Sequence, residues 1–350
     1  MTSAEDFRLA ICGAGMITAS MHLPSVFQTP GVRLTAIVDS SIERAQSLAD
    51  TYGLDVAVST QVGEVLDRAD GVIIATPNHT HADIACECLR AGVSTLIEKP
   101  LASNVADAER ILEAARLGGA TVAVGYLSRF RDSTFLLKEL LDANYFGPVR
   151  RFARQAGTKG GWAPVSGYNL NRAAVGGGVL VVSGTHFLDT MLHLWGYPSW
   201  LELEDDSEGG PEAHCCARFR FEMGHGVVEG TVLSSKLVSL PPGLVIETDR
   251  GLVIVGDTDD AEIRFRPNDN PTLEHVVRRT VNRLPSQLPV DVRQLLDFVD
   301  ACRRKVKPMV DGEQGLLSMR LIEDLYRHRR QSQPDYYAAA AAAAAAGRAS

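Results

Sequence analysis

The sequence predicts a doubly wound α/β domain with a parallel sheet, followed by an α+β domain, and three observations lead there. From Phe7 to Tyr126 short apolar runs alternate strictly with helix-compatible runs; the first apolar run ends in the glycine turn Gly13-Ala14-Gly15; beyond Tyr126 strand-like runs follow one another without regular alternation. Strict alternation forces a parallel sheet, because each return to the same sheet end takes a crossover helix, and right-handed crossovers place helices on both faces. At 350 residues the chain exceeds the roughly 250–300 at which one hydrophobic core stops growing. We therefore expect a dinucleotide-type domain over 1–125 and a second domain over 126–337, with the closing helices free to pack back on the first. Residues 338–350, nine alanines and then GRAS, form a low-complexity tail.

The elements follow in order. FRLAIC (7–12) is an apolar strand, and MITASMHLPSVFQ (16–28) is a helix that closes before Pro30-Gly31. VRLTAIVD (32–39) is a strand ending on an acid, ERAQSLADTYG (43–53) a helix, VAV (56–58) a strand and EVLDRA (64–69) a helix. GVIIATP (71–77), STLIEKP (94–100) and TVAVGY (121–126) are strands separated by the helices HADIACECLRAG (81–92) and VADAERILEAARLGG (105–119). In the second half VRRFARQAG, HCCARFRFE, GVVEGTVLSS, GLVIETDRG and EIRFRP are strand-like runs bounded by Gly, Pro or Asp turns.

Composition narrows the function. A formal net charge of -8 argues against a nucleic-acid partner, since neutralising phosphates takes a basic face. No apolar stretch approaches the roughly 20 residues that cross a bilayer, and MTSAEDF lacks a basic region followed by an apolar core, so no membrane partner and a cytoplasmic location are expected. The six cysteines show no C-x-x-C spacing and read as reduced, mostly buried residues.

In a doubly wound sheet, ligands bind beyond the carboxyl ends of the strands. After the first strand stands GAGMIT, in which Gly13 and Gly15, with Met16 and Ile17, suit a tight turn and close approach of backbone to a pyrophosphate; Thr18 replaces the third glycine of that fingerprint. Asp39, 26 residues after Gly13, is spaced to bind the ribose hydroxyls of NAD, whereas Ser40, Ser41 and Arg44 leave NADP open. The fourth strand delivers Thr76, Pro77, Asn78, His79 and His81; the histidine pair reads as a helix-capping loop or as two metal ligands, and without an acidic or cysteine partner no metal site is assigned. The fifth delivers Glu98 and Lys99. A lysine at the mouth of a central strand is partly desolvated, which lowers its pKa and suits it to hold a substrate oxygen.

Taken together, GAGMITASMHLP, AIVD, TPNHTH, EKP, GYLSRF and GGGVLVVSGTHFLD, with the closing DGEQGLLSMRLIEDLYR, resemble the Gfo/Idh/MocA family, named for glucose-fructose oxidoreductase and inositol dehydrogenase. The resemblance implies a Rossmann domain followed by an open, mainly antiparallel sheet that receives substrate and supports homo-oligomers, dimeric or tetrameric. It implies hydride transfer between a nicotinamide and a secondary alcohol or ketone of a sugar, inositol or related polyol. Under it, Lys99 touches nicotinamide ribose and substrate, and His186 exchanges the proton of the reacting hydroxyl. Cofactor contacts are expected from Gly13, Gly15, Met16, Ile17, Asp39, Ser40, Arg44, Thr76, Pro77, Asn78, His81, Glu98 and Lys99, and substrate contacts from Tyr126, Arg129, Trp162, Arg172 and Asp189. Tyr168 and Asn171 lie near the same pocket, and KGGWAP (159–164) reads as a flap or as an ordinary surface turn.

The sequence departs from the family at one position. Where many members carry an aspartate four residues before the histidine, this chain has Val182. Asp189, three residues after His186, is open to three readings: a substitute partner, a structural residue or an acceptor for a substrate hydroxyl. His186 itself, in an apolar helix, also reads as a buried core histidine, as does His193. Two alternatives to the main function remain at this stage. One is a reductase of keto-sugars, nucleotide-linked ones included, that works through Lys99 without the acid; the other is a cofactor-binding regulatory or scaffold protein that has lost catalysis.

Overall fold

The computed structural model describes residues 6–160, 168–256, 262–279 and 288–332. Six strands, β1 (Phe7–Cys12), β2 (Val32–Val38), β3 (Ala57–Ser59), β4 (Gly71–Ile74), β5 (Ser94–Ile97) and β6 (Val122–Val124), form one all-parallel sheet in the order β3-β2-β1-β4-β5-β6. The connection order reverses between β1 and β4, so a crevice opens beyond their carboxyl ends. Central β4 and β5 are buried along their whole length, as strands covered on both faces must be.

Helices α1 (Leu23–Gln28), α2 (Ile42–Tyr52), α3 (His81–Arg90) and α4 (Val105–Gly118) connect these strands. Their ends follow from side-chain chemistry. Ser41 and Asn104 accept backbone N–H bonds from Arg44 and Asp107 at the starts of α2 and α4, and Gly53 and Gly119 close the same helices in the left-handed conformation. Two expected helices differ. Residues 18–22 form a wider π-helical turn before α1, and the expected helix at 64–69 is a 3-10 helix over Val62–Arg68.

Two helices then lead to and cover a second sheet: α5 (Asp132–Asp142) and α7 (Thr185–Trp195), with the short α6 (Arg172–Val175) between them. The sheet holds nine strands: β7 (Val149–Gly157), β8 (Trp200–Asp205), β9 (His214–Met223), β10 (Gly226–Ser235), β11 (Leu240–Thr248), β12 (Gly251–Gly256), β13 (Glu262–Pro267), β14 (His275–Arg278) and β15 (Arg329–Gln331). Their order is β14-β13-β12-β11-β7-β10-β9-β8-β15, and all neighbours are antiparallel except β7–β10 and β8–β15. One face is sealed: Phe152 of β7 stacks on Trp195 of α7 at 4.1 Å, and a Cβ on Gly230 would meet the Phe152 ring at 2.2 Å. The opposite face leaves Val245 and Leu252 exposed.

The final helices, α8 (Val290–Arg304) and α9 (Gly312–Arg327), return to the first sheet. Phe298 packs edge-on against Phe7 at 6.1 Å, Ser25 donates to Asp291 at 2.5 Å, and Val124 N–H donates to the Val310 carbonyl. The second half is thereby tied to the first at both ends.

Candidate active site

The glycine turn after β1 is shaped by its neighbours. Gly13 has φ +105°, and a Cβ there would lie 2.3 Å from the Ala75 carbonyl oxygen, so only glycine fits. A Cβ on Gly15, by contrast, would meet nothing within 4 Å. That open side, beside the exposed Met16 and Ile17, is a cradle into which a phosphate can settle against bare backbone. Thr18, in place of a third glycine, is buried and donates its hydroxyl to the Gly13 carbonyl at 2.5 Å, locking the turn from beneath.

Asp39 follows β2 and faces the same turn. Its carboxylate accepts from the backbone N–H groups of Ala14 at 2.8 Å and Ser41 at 2.9 Å, and from Arg44 at 2.5 Å. Burial opposes its charge, but these two N–H groups and the guanidinium outweigh it and lower its pKa. Arg44 also reaches Ser40 Oγ at 3.2 Å, so its cation covers the carboxylate rim.

Thr76, Pro77, Asn78 and His81 follow β4. Asn78 Nδ2 donates to the Val175 carbonyl at 2.8 Å, and Tyr168 OH accepts from the Asn78 N–H at 2.8 Å, joining this loop to α6. His81 is buried between the carbonyls of Thr76 and Pro100, whereas His79 is exposed, so the two rings do not share a site. Among the described residues no cluster of three or more His, Cys, Asp or Glu is placed to hold a metal.

Glu98 and Lys99 stand at the end of β5, with a cis bond between Lys99 and Pro100. Burial works against the Glu98 charge, yet the hydrogen bond from His22 at 3.0 Å and the fields of Lys99 and His186 hold its pKa down to about 2. Burial lowers the Lys99 pKa, and Glu98 partly restores it. The Lys99 ammonium donates to the Val182 carbonyl at 2.9 Å, so the amine of one half meets the histidine-bearing segment of the other.

That segment begins with Gly176-Gly177-Gly178 because neighbours leave no room for side chains. A Cβ on Gly177 would lie 2.0 Å from Tyr326 OH, and one on Gly178 would lie 2.2 Å from the Glu212 carbonyl oxygen. The Glu212 carboxylate accepts from the N–H groups of Gly178 and Leu180, each at 3.0 Å, and from Tyr326 OH at 2.8 Å. It caps a π-helical turn, Leu180–Gly184, that runs directly into α7. His186 occupies the first turn of α7, half-buried, its ring edge-on to Tyr126 at 6.2 Å. Among the described residues its buried Nδ1 has no hydrogen-bond partner. Burial, reinforced by the Lys99 charge, pushes its pKa down to about 3, so the imidazole is neutral at physiological pH.

Several expected substrate residues are placed elsewhere. Arg129 and Asp189 form a buried bidentate ion pair, Nε to Oδ2 at 2.7 Å and Nη2 to Oδ1 at 3.0 Å, with side chains 4% and 1% exposed. Asp189 is thus the structural partner of Arg129 and does not replace the missing acid. Tyr126 is fully buried with its hydroxyl 3.1 Å from Thr185 Oγ1. Arg172 is turned toward the Gly210 carbonyl at 3.1 Å and the Tyr326 ring at 5.0 Å. In each case the polar group is drawn to a nearer intramolecular partner. Trp162 and the Gly161–Pro164 part of the glycine-rich loop lie outside the described residues. Sequence reasoning missed His22 and Glu212, which bond to Glu98 and to the start of the histidine-bearing segment, and Arg131 and Lys236, whose charges act on His186 and Lys99; their short local contexts carry no spacing signal, and only the fold brings them near.

Comparison with known proteins agrees with this geometry. Residues 7–126 match the model of an oxidoreductase family with an NAD-binding Rossmann fold. D-glucoside 3-dehydrogenase of Escherichia coli is 30% identical, over 93% of this chain and 96% of that protein. An inositol 2-dehydrogenase of Rhodococcus erythropolis is 33% identical over 42% of this chain and 43% of its own. The crystal structure of aldose-aldose oxidoreductase from Caulobacter crescentus superposes with a TM-score of 0.81 over 93% of this chain and 97% of that one, at 24% identity. On this evidence the chain belongs to the Gfo/Idh/MocA family of oxidoreductases with an NAD-binding Rossmann domain.

Proposed function

We propose that the protein is an NAD(P)-dependent oxidoreductase moving a hydride between nicotinamide and a secondary alcohol or ketone of a sugar, inositol or related polyol. The observation that carries this reading is the meeting of Lys99, at the end of β5, with the Val182–His186 segment beside the open glycine turn. The relative matched over nearly its whole length is a dehydrogenase of a sugar derivative, which favours this reading over the reductase-only and non-catalytic alternatives.

Gly13, Gly15, Met16 and Ile17 hold the pyrophosphate side of the dinucleotide; Asp39, with Ser40 and Arg44, faces the adenosine ribose; Thr76, Pro77, Asn78, Glu98 and Lys99 line the nicotinamide side, while His81, expected there from the sequence, is fully buried between the Thr76 and Pro100 carbonyls and braces that loop from within. The Asp39 carboxylate, kept ionised, favours NAD over NADP. When bound, the nicotinamide accepts or delivers the hydride. In the oxidation direction the Lys99 ammonium leaves the Val182 carbonyl and donates to the substrate oxygen, stabilising alkoxide character as the C–H bond breaks. The hydroxyl proton passes to neutral His186; reduction runs the same transfers backwards. Residues 1–125 supply the cofactor half and 126–337 the substrate half.

The exposed face of the nine-stranded sheet, with Val245 and Leu252 exposed, supports a homodimer or tetramer assembled through it. Among the described residues no helix is long and apolar enough to cross a membrane, and the six cysteines are unpaired, which supports a cytoplasmic protein.

The test is nicotinamide absorbance with NAD and a panel of inositols, aldoses and glycosides, run in both directions. Lys99→Met should retain NADH binding and lose turnover by about 10²–10⁴-fold. Saturable NADH binding with no turnover of any panel member would overturn the enzymatic reading.

A further inference from the structure

Strand β10 ends in Ser234-Ser235, and Lys236 follows, near enough to Lys99 for the two charges to repel. Its backbone is fixed on both sides: its N–H donates to the Ala213 carbonyl at 2.7 Å, and its carbonyl accepts from the Gly160 N–H at 2.9 Å. Ser234 stands against the turn that leads into α7, since a Cβ on Gly184 would lie 3.3 Å from Ser234 Oγ. At this junction two polar atoms, Ser234 Oγ and His186 Nδ1, are buried with no hydrogen-bond partner among the described residues. Buried polar atoms are ordinarily satisfied, and a pair of exceptions at one junction points to a ligand that satisfies them.

The charge around this junction is one-sided. Lys236 is half-buried, and among the described residues its ammonium makes no hydrogen bond or ion pair. Its field reaches Lys99, and that of Arg131 reaches His186. Among the described residues the one carboxylate acting on either Lys99 or His186 is Glu98, which is already bonded to His22 and to the Lys99 N–H. A half-buried ammonium is costly to desolvate, and a ligand anion compensates that cost better than a sugar hydroxyl does.

We propose that Lys236 binds an anionic substituent of the substrate, a carboxylate or a phosphate, close to the carbon that exchanges hydride, so that acidic sugars are preferred to neutral ones. The proposal rests on the reading of this crevice as the site of sugar oxidoreduction. It adds a recognition element from β10 to the Lys99–His186 pair and predicts a substrate class that the dinucleotide half leaves open.

The experiment compares glucose with glucuronate and glucose 6-phosphate on the intact chain with NAD, by kcat/KM. The expected result is a preference of about tenfold or more for one of the two anions over glucose. Lys236→Gln should bring that preference close to unity, and Lys236→Arg should restore most of it. The glucuronate and phosphate arms identify which anion is read. Turnover of glucose as good as that of both anions, or a preference unchanged by Lys236→Gln, overturns the anion site and leaves the oxidoreductase reading standing. A Lys236→Gln defect confined to NADH affinity overturns it as well, by assigning the cation to the cofactor. If no sugar is turned over although NADH binds, the oxidoreductase reading fails. The anion site is then decided by titrating glucuronate and glucose 6-phosphate into NADH-loaded protein, where a loss of affinity below about tenfold in Lys236→Gln counts against it.

Discussion

Removing the Asp189 charge tests the division between framework and site. The Arg129–Asp189 pair is bidentate, with contacts of 2.7 and 3.0 Å and almost no solvent access. Burial raises the Asp189 pKa and the guanidinium pulls it back, so the carboxylate depends on Arg129 for its charge. At such separations, with an effective dielectric near 20, the attraction is of order 6 kcal/mol. Breaking a buried pair from one side leaves the other charge desolvated and costs about 3–5 kcal/mol. Asp189→Asn should therefore lose about 3 kcal/mol or more, read as the shift in urea midpoint times the slope of the transition. Arg129→Met should lose a similar amount. The double variant Arg129→Met/Asp189→Leu should regain most of it, because two apolar side chains of similar volume leave no stranded charge. Asp189→Asn with an unchanged midpoint and a raised KM would refute the reasoning, since that combination describes a carboxylate facing substrate.

Three further outcomes are expected. Val182→Asp puts a carboxylate one turn before His186; it should raise the His186 pKa from about 3 and move the acidic limb of the pH–rate profile upward, whereas an unmoved limb would show that the new acid does not reach the ring. Gly178→Ala forces a Cβ to 2.2 Å from the Glu212 backbone and should cost about 1–3 kcal/mol with lower kcat; wild-type stability and rate would remove the close-approach argument. Finally, His186 and His193 are held neutral in the fold, at about 3 and about 4 against 6.5 for a free imidazole. The unfolded chain takes up protons that the folded chain refuses, so the histidine contribution is complete above pH 6.5 and is lost as pH falls toward 4. Urea midpoints should drop through that window, and His186→Gln/His193→Gln should flatten the drop; a midpoint that rises on acidification would contradict it.

The first sheet was legible because period and length agree. Each of its strands is a short apolar run stopped by a polar or glycine residue, and β7, β10 and β13 have the bounds that their runs suggest. The elements that escaped are those whose pairing comes from a partner and not from their own pattern. β8 is half acidic, β15 is Arg-Arg-Gln held by parallel bonds to β8, and β12 was hidden behind the Asp-Arg-Gly turn that closes β11. The site shows the same split. Lys99, Asp39 and the glycine turn announce themselves by their position after strands, whereas an arginine or aspartate near the pocket in sequence gives no sign of whether it faces the crevice or the interior. Arg129, Asp189 and Arg172 each turned to a partner that only tertiary structure supplies.

The hydrogen bond from Lys99 to the Val182 carbonyl gives the resting protein an internal rival for its own ligand. An incoming oxygen gains no new contact at this amine; it exchanges one acceptor for another, and the net gain is the difference between two similar bonds. Such an exchange keeps ground-state affinity modest while leaving the full attraction for an oxygen that has become more negative than an amide carbonyl, which is the state reached partway through hydride transfer. The main-chain oxygen at position 182 thereby sets a threshold that weakly basic acceptors do not pass.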